Sequence, residues 1–168
     1  MNIAIREWQP EDLDRLVEIA NNKKIGDTLR NTFPHPYLKE NGEFLLDLSQ
    51  NSDKLKELIL AITVEDVVVG NIGLFIKDDV NCKCAEVGYW IGEDDWGKGI
   101  ATQAVRLICE KGFAEYDIVR IYAEFFDCNI ASKKVLEKNG FKYEGRLRKS
   151  IYKNGEYHDS FLYAMIKE

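Results

Sequence analysis

The sequence predicts a mixed α/β fold, a sheet with helices packed on it, on three observations. Apolar runs of strand character follow one another through the middle of the chain, from "LILAITV" to "CAEVGYWI". A helical stripe then stands between two strand-like runs. Near the end, Asn154-Gly155 separates two more such runs, the strongest short-range hairpin signal.

Taken in order, "NIAIREW" alternates apolar and polar residues and reads as the first strand. A helix is expected from Pro10, because the first helical N–H needs no partner. Leu13, Leu16, Val17 and Ala20 supply its buried stripe. "IGDTLRNTFPHPYLKENGEFLLDLSQN" predicts short helices broken by Pro34 and Pro36, with a polar and aromatic loop between them. "LILAITV", a turn at Glu65-Asp66 and "VVVGNIGLFI" form a hairpin of buried strands. "CAEVGYWI" adds a strand, and Ile100, Ala104, Leu107 and Ile108 mark a helix running to about Tyr116. "VRIYAEFF" is a strand and "IASKKVLEKN" a short helix stopped by Gly140. "FKYEGRLRKSIY" and "EYHDSFLYAMI" make the closing hairpin.

At 168 residues, one domain spanning 1–168 is the economical expectation, since domains run to roughly 100–200 residues. The N-terminus lacks a signal-peptide pattern, and no stretch approaches the roughly 20 apolar residues of a membrane span. Four cysteines are few for the length and suit a reducing compartment, so a cytoplasmic location is expected. Cys82 and Cys84 form C-x-C, but His35 and His158 are the only histidines and neither is near, so no metal is expected. A net charge of −6 argues against nucleic-acid or membrane partners and suits cationic substrates such as amines.

The stretch "GEDDWGKGIAT" carries the chemistry. Gly92, Gly97 and Lys98 have P-loop spacing, yet Gly99 stands where a magnesium-binding hydroxyl is required. Asp94 and Asp95 would repel a polyphosphate, and the loop follows a run of strands rather than an early strand of a parallel unit. These features argue against a nucleoside triphosphate. Small residues at Gly97, Gly99 and Ala101 instead let the backbone approach a ligand, and the helix from Ile100 points free N–H groups into the loop, as a pyrophosphate needs.

Trp96-Gly97-Lys98-Gly99-Ile100-Ala101 resembles the acetyl-CoA pyrophosphate loop of the GNAT acetyltransferases, in which Gln or Arg stands at the first position, Gly at the fourth and Gly or Ala at the sixth. Trp96 departs from that first residue, in the manner of the ribosomal-protein N-terminal acetyltransferase branch. Asn129, Ser132, the run Leu136 to Phe141, Glu144-Gly145 and Asp159 on the last strand are similar to the same branch. The resemblance spans the chain and is strongest from Ala85 onward.

The resemblance implies a mostly antiparallel sheet of about seven strands, flanked by helices and splayed between the fourth and fifth. It implies acetyl-CoA as cosubstrate, with the pantetheine arm held by the backbone near Tyr89, Trp90 and Ile91. The loop Gly97, Lys98, Gly99, Ile100, Ala101 and Thr102 takes the pyrophosphate. Asn129 touches the arm as well as capping a helix. Apart from the resemblance, the basic run from Lys133 to Lys153, with Lys134, Lys138, Lys142, Arg146, Arg148 and Lys149 between, reads mostly as a solvated face, with charge for phosphates at the adenosine end as the alternative. Glu86 is the implied base for the incoming ammonium. The Tyr that many members use as general acid is replaced by Leu136, and Ser132 takes its place as a thiol-positioning group. His35, Tyr37 and Asp159 are the candidate substrate contacts, and His158 stands beside Asp159.

The expected activity is acetyl transfer to a primary amine, foremost a protein N-terminal α-amine and among these a ribosomal protein. A polyamine or other small amine is the alternative acceptor. A non-catalytic acetyl-CoA-binding module is the alternative of another class. Homodimers are common in such folds.

Overall fold

Strand β1 (Ile3–Glu7) forms one edge of a seven-stranded sheet in the computed structural model, which describes residues 1–168. The chain continues through a 3-10 turn (Pro10–Asp12), α1 (Leu13–Ala20), α2 (Lys23–Gly26) and α3 (Lys39–Asn51) before returning to the sheet. Then follow β2 (Glu57–Val64), β3 (Val67–Ile76), β4 (Cys84–Ile91), α4 (Ile100–Glu115) and β5 (Arg120–Phe126). The last elements are α5 (Ile130–Lys138), β6 (Lys142–Lys153) and β7 (Glu156–Ile166). The sheet order is β1-β2-β3-β4-β5-β7-β6, and β4–β5 is its one parallel pair. The mixed α/β expectation, with seven strands, holds.

Two apolar layers follow from the period-2 pattern of the strands. Leu58, Leu60 and Ile62 of β2 face a core completed by Ile100, Ala104 and Ile108 of α4 and Leu136 of α5. The intervening Ile59 and Ala61 face Trp8, Leu16 and Leu46 under α1 and α3. The sheet is thus covered on both sides.

The local signals act as expected in three turns. Glu65 and Asp66 both take positive φ, as do Asn154 and Gly155, the requirement of a tight two-residue hairpin turn. Gly140 ends α5 at φ +84°. The two prolines separate helices α2 and α3 as expected, but α3 is not short: it runs 13 residues because nothing inside it interrupts it. The Asn41 side chain accepts the Leu38 N–H at its start, at 2.7 Å. Gly42 packs closely against α1 there: a Cβ would lie 2.8 Å from the end of the Leu13 side chain.

No helix is long and apolar enough to cross a membrane.

Candidate active site

The site begins where β4 and β5 separate. They pair only over Cys84–Arg120, Ala85–Ile121 and Glu86–Tyr122, although β4 runs on to Ile91 and β5 to Phe126. Gly92 donates its N–H to Val69 and Cys84 accepts from Lys77, so even-numbered residues of β4 turn their backbone groups toward β3. The backbone groups of Val87, Tyr89 and Ile91 therefore face the gap. Buried N–H and C=O groups need partners, so an open strand pair is a place for a chain-like ligand. At the far end the Trp96 indole N–H donates to the Ile91 carbonyl at 2.7 Å, which closes that position.

A groove of about 540 Å³ occupies this gap. Tyr89, Trp90 and Ile91 line one side, and Cys128, Asn129 and Ser132 the other. Its end is built from Gly97, Gly99, Ile100, Ala101 and Thr102. Gly97 and Gly99 hold φ of +74° and +77°, a left-handed conformation that costs other residues about 1–2 kcal/mol. A Cβ on either would meet nothing within 4 Å, so backbone conformation and not crowding requires glycine. The backbone then enters α4 with the first-turn N–H groups directed at the groove, a geometry that favours a phosphate.

Lys98 does not line the groove. Its ammonium turns back to Asp95 at 3.0 Å, so its charge is engaged within the loop. Lys134 and Lys138, one turn apart on α5, do line it, and neither is ion-paired to a carboxylate. They are the cations free to meet phosphate charge.

Asn129 caps α5 by accepting the Ser132 N–H at 3.1 Å, which fixes Ser132 on the first turn. Ser132 is buried, and its hydroxyl lies 2.8 Å from the Tyr89 hydroxyl. Burial pushes the Tyr89 phenol up to about 12, partly offset by that hydrogen bond, so the ring stays a neutral donor at neutral pH. The sequence places Leu136 where a helix tyrosine is usual; the structure brings a tyrosine hydroxyl to Ser132 from β4 instead. Nothing in the spacing of residues 43 apart could have shown it.

Glu86 sits at the vertex of the splay. Arg30 donates to one carboxylate oxygen at 2.8 Å and Lys77 to the other at 3.1 Å, with the Tyr122 hydroxyl at 3.4 Å. It lines neither this groove nor the second cavity, so the structure gives its carboxylate to three side chains of the protein.

That second cavity, about 350 Å³, opens beyond the vertex and is bounded by Leu29, Arg30 and Asn31, by Glu124 on β5 and by Lys153 on β6. Leu29 stands in the wall of both spaces, so the two are neighbours. Glu86 pairs with Tyr122, so Glu124, two residues on, projects from the same sheet face. Gly88 opposite adds no side chain there.

The expected substrate contacts fall elsewhere. Tyr37 is a core residue, 4% exposed, with its hydroxyl donating to Asn41 O at 3.3 Å; burial raises its phenol to about 12. His35 is exposed and lines neither cavity. Asp159 is held by Arg146 and by the Lys149 N–H, each at 2.6 Å, where it pins the irregularity of β6; those hydrogen bonds keep its carboxyl below its usual range. The segment that walls the second cavity is the neighbouring Leu29–Asn31. His158 pairs with Asp127 at 3.3 Å rather than with Asp159, and Asp127, Cys128 and His158 bring donor atoms within 4.8 Å of one another. Asp127 also accepts the Asp159 N–H, so this cluster ties β7 to the end of β5. The four cysteines are free thiols.

An acetyltransferase (GNAT) domain model matches residues 2–142. The putative ribosomal N-acetyltransferase YdaF of Bacillus subtilis (strain 168) is 32% identical over 171 residues, covering 99% of this chain and 92% of its own. Spermidine N(1)-acetyltransferase of Escherichia coli (strain K12) is 26% identical, over 95% of this chain and 83% of its own. Among solved structures, the RimL ribosomal L7/L12 α-N-protein acetyltransferase in complex with coenzyme A superposes with a TM-score of 0.85 at 24% identity, covering 99% of this chain and 95% of its own. The splayed strands, the glycine loop at the start of α4 and the domain match lead to one assignment: the chain is an N-acetyltransferase that belongs to the GNAT family.

Proposed function

We propose that the protein transfers the acetyl group of acetyl-CoA to the α-amine at a protein N-terminus, a ribosomal protein being the first candidate. The observation that supports this reading is the adjacency of two spaces that share Leu29 in their walls: a groove with a phosphate-accepting end, and beside it a cavity lined by a carboxylate without a partner. Acetyl-CoA supplies the thioester that the amine attacks directly, so no protein nucleophile is needed.

The residues divide the remaining work. The α4 N-terminus with Lys134 and Lys138 receives phosphate charge, and the backbone of Val87 and Tyr89 holds the arm by hydrogen bonds. Asn129 keeps Ser132 in place, and Ser132 with Tyr89 orients the sulfur as a hydrogen-bonding pair. A phenol near 12 is too weak an acid to protonate a thiolate of pKa about 8.5 outright. Glu124 is the carboxylate free to accept the ammonium and its proton. Glu86, engaged by Arg30 and Lys77, positions the vertex and Arg30.

A polyamine is the second reading, supported by the spermidine acetyltransferase relative. Thiol release separates the two. A peptide with a free N-terminus is expected to outpace both its N-blocked form and spermidine by at least about tenfold in kcat/KM. Preference for spermidine would replace the acceptor, and no release with any amine would favour a module that only binds acetyl-CoA.

A further inference from the structure

The second cavity holds three charged side chains, and they are not equivalent. Arg30 spends its charge on Glu86. Glu124 has no hydrogen-bond or ion-pair partner, and on the β7 strand beside it Leu162 stands opposite in register. Lys153 is 9% exposed, yet its ammonium makes a single hydrogen bond, to Asn31 Oδ1 at 3.1 Å, and no carboxylate lies in salt-bridge reach. Asp27 feels its charge but is held by Lys23 and Asn154. An ammonium has three donors, and buried charges are normally paired. Two N–H groups of Lys153 thus lack protein acceptors at the edge of a cavity that would admit a ligand.

We propose that Glu124 and Lys153 together select an acceptor in which the reacting amine sits close to a carboxylate: a peptide N-terminus with an acidic side chain in its first residues. Glu124 takes the ammonium and Lys153 the carboxylate. A polyamine offers a second cation where Lys153 requires an anion. The cavity, about 350 Å³, lies at the small end of the roughly 300–1,000 Å³ range of ligand pockets, so it takes only the tip of a peptide. The assignment rests on the N-acetyltransferase reading for its chemistry, but the charge pair is a property of the cavity itself.

The test compares Ser-Glu-Ala, Ser-Gln-Ala, Ser-Lys-Ala and spermidine as acceptors for the full chain, by thiol release. The wild type is expected to favour Ser-Glu-Ala over Ser-Gln-Ala by about tenfold in kcat/KM, with Ser-Lys-Ala and spermidine lower still. Lys153→Met is expected to bring the acidic-to-neutral ratio near one, while Lys153→Arg retains a preference above threefold; thermal melts verify that each variant is folded. A ratio unchanged in folded Lys153→Met overturns the proposal. If that variant does not fold, the wild-type ranking decides alone, and a neutral, basic or polyamine preference overturns it. Calorimetry of Ser-Glu-Ala against the protein saturated with CoA separates the two claims. Binding that weakens in Lys153→Met without turnover of any amine keeps the charge site and removes the transferase reading. Turnover of amines with no acidic preference does the reverse.

Discussion

The Tyr89 and Ser132 hydroxyls meet at 2.8 Å across the groove, one from β4 and the other from the first turn of α5. The contact links the two walls of the splay at the point where the pantetheine arm is proposed to end. It depends on Asn129, whose cap fixes Ser132, and on burial of the Tyr89 ring.

Tyr89→Phe keeps the ring and removes only the hydroxyl. Loss of one hydrogen bond of about 1 kcal/mol is expected to lower kcat about fivefold, with a smaller change in the KM for acetyl-CoA. Steady-state kinetics check this. Ser132→Ala combined with Tyr89→Phe should cost little more than Ser132→Ala alone, since the two hydroxyls act as a unit.

Glu124 and Glu86 make opposite claims on the proton. Glu124→Gln is expected to lower kcat/KM by about 10²-fold near pH 7 and by less above about pH 8, where an α-amine is already deprotonated. Glu86→Gln, which frees Arg30 and Lys77, should lower the rate by a factor nearly constant with pH. A pH–rate profile of each variant distinguishes them, and the pH-dependent loss appearing in Glu86→Gln instead would return the base role to the vertex.

Burial of neutral phenols makes stability sensitive to alkali. The Tyr37 phenol is raised from about 10 to about 12 on folding, so the folded chain holds that proton more tightly. Its contribution is complete below about pH 10 and is lost as pH climbs toward 12. Tyr89 acts in the same window, and burial of the Cys109 thiol, also raised to about 12, starts the fall nearer pH 9. Melting temperatures between pH 8 and 12 should therefore decline, and Tyr37→Phe should decline less steeply while starting about 1 kcal/mol lower from loss of its bond to Asn41.

What the sequence showed and what it concealed divide along the range of the interaction. Asn154-Gly155, Gly140 and the Asn129 cap are set by their own backbone geometry, so they were legible, as were Gly97 and Gly99. The prolines mark the loop between α2 and α3, but they carry no information on how far α3 continues beyond it. Of the residues the sequence offers as substrate contacts, Tyr37 turns into the core, whereas Arg30 and Asn31, a few residues earlier, line the second cavity. Glu124 could be found only from the Glu86–Tyr122 register, which puts it on the vertex face beyond the last paired residues. Lys153 meets Asn31 across 122 residues and gives no local signal. Lys98 shows the converse, a cation in a suggestive motif whose ammonium pairs with Asp95 three residues away.

The central claim is that the groove ending at Gly99 is the acetyl-CoA site, and calorimetry on the purified chain tests it most directly. Wild-type protein is expected to bind one acetyl-CoA with micromolar affinity and to show no response to ATP–magnesium. Gly99→Glu, which sets a carboxylate at the α4 N-terminus and strains a backbone at φ +77°, is expected to weaken that binding at least about 30-fold while remaining folded. Undiminished acetyl-CoA binding by folded Gly99→Glu, or binding of ATP–magnesium in place of acetyl-CoA by the wild type, would contradict the assignment.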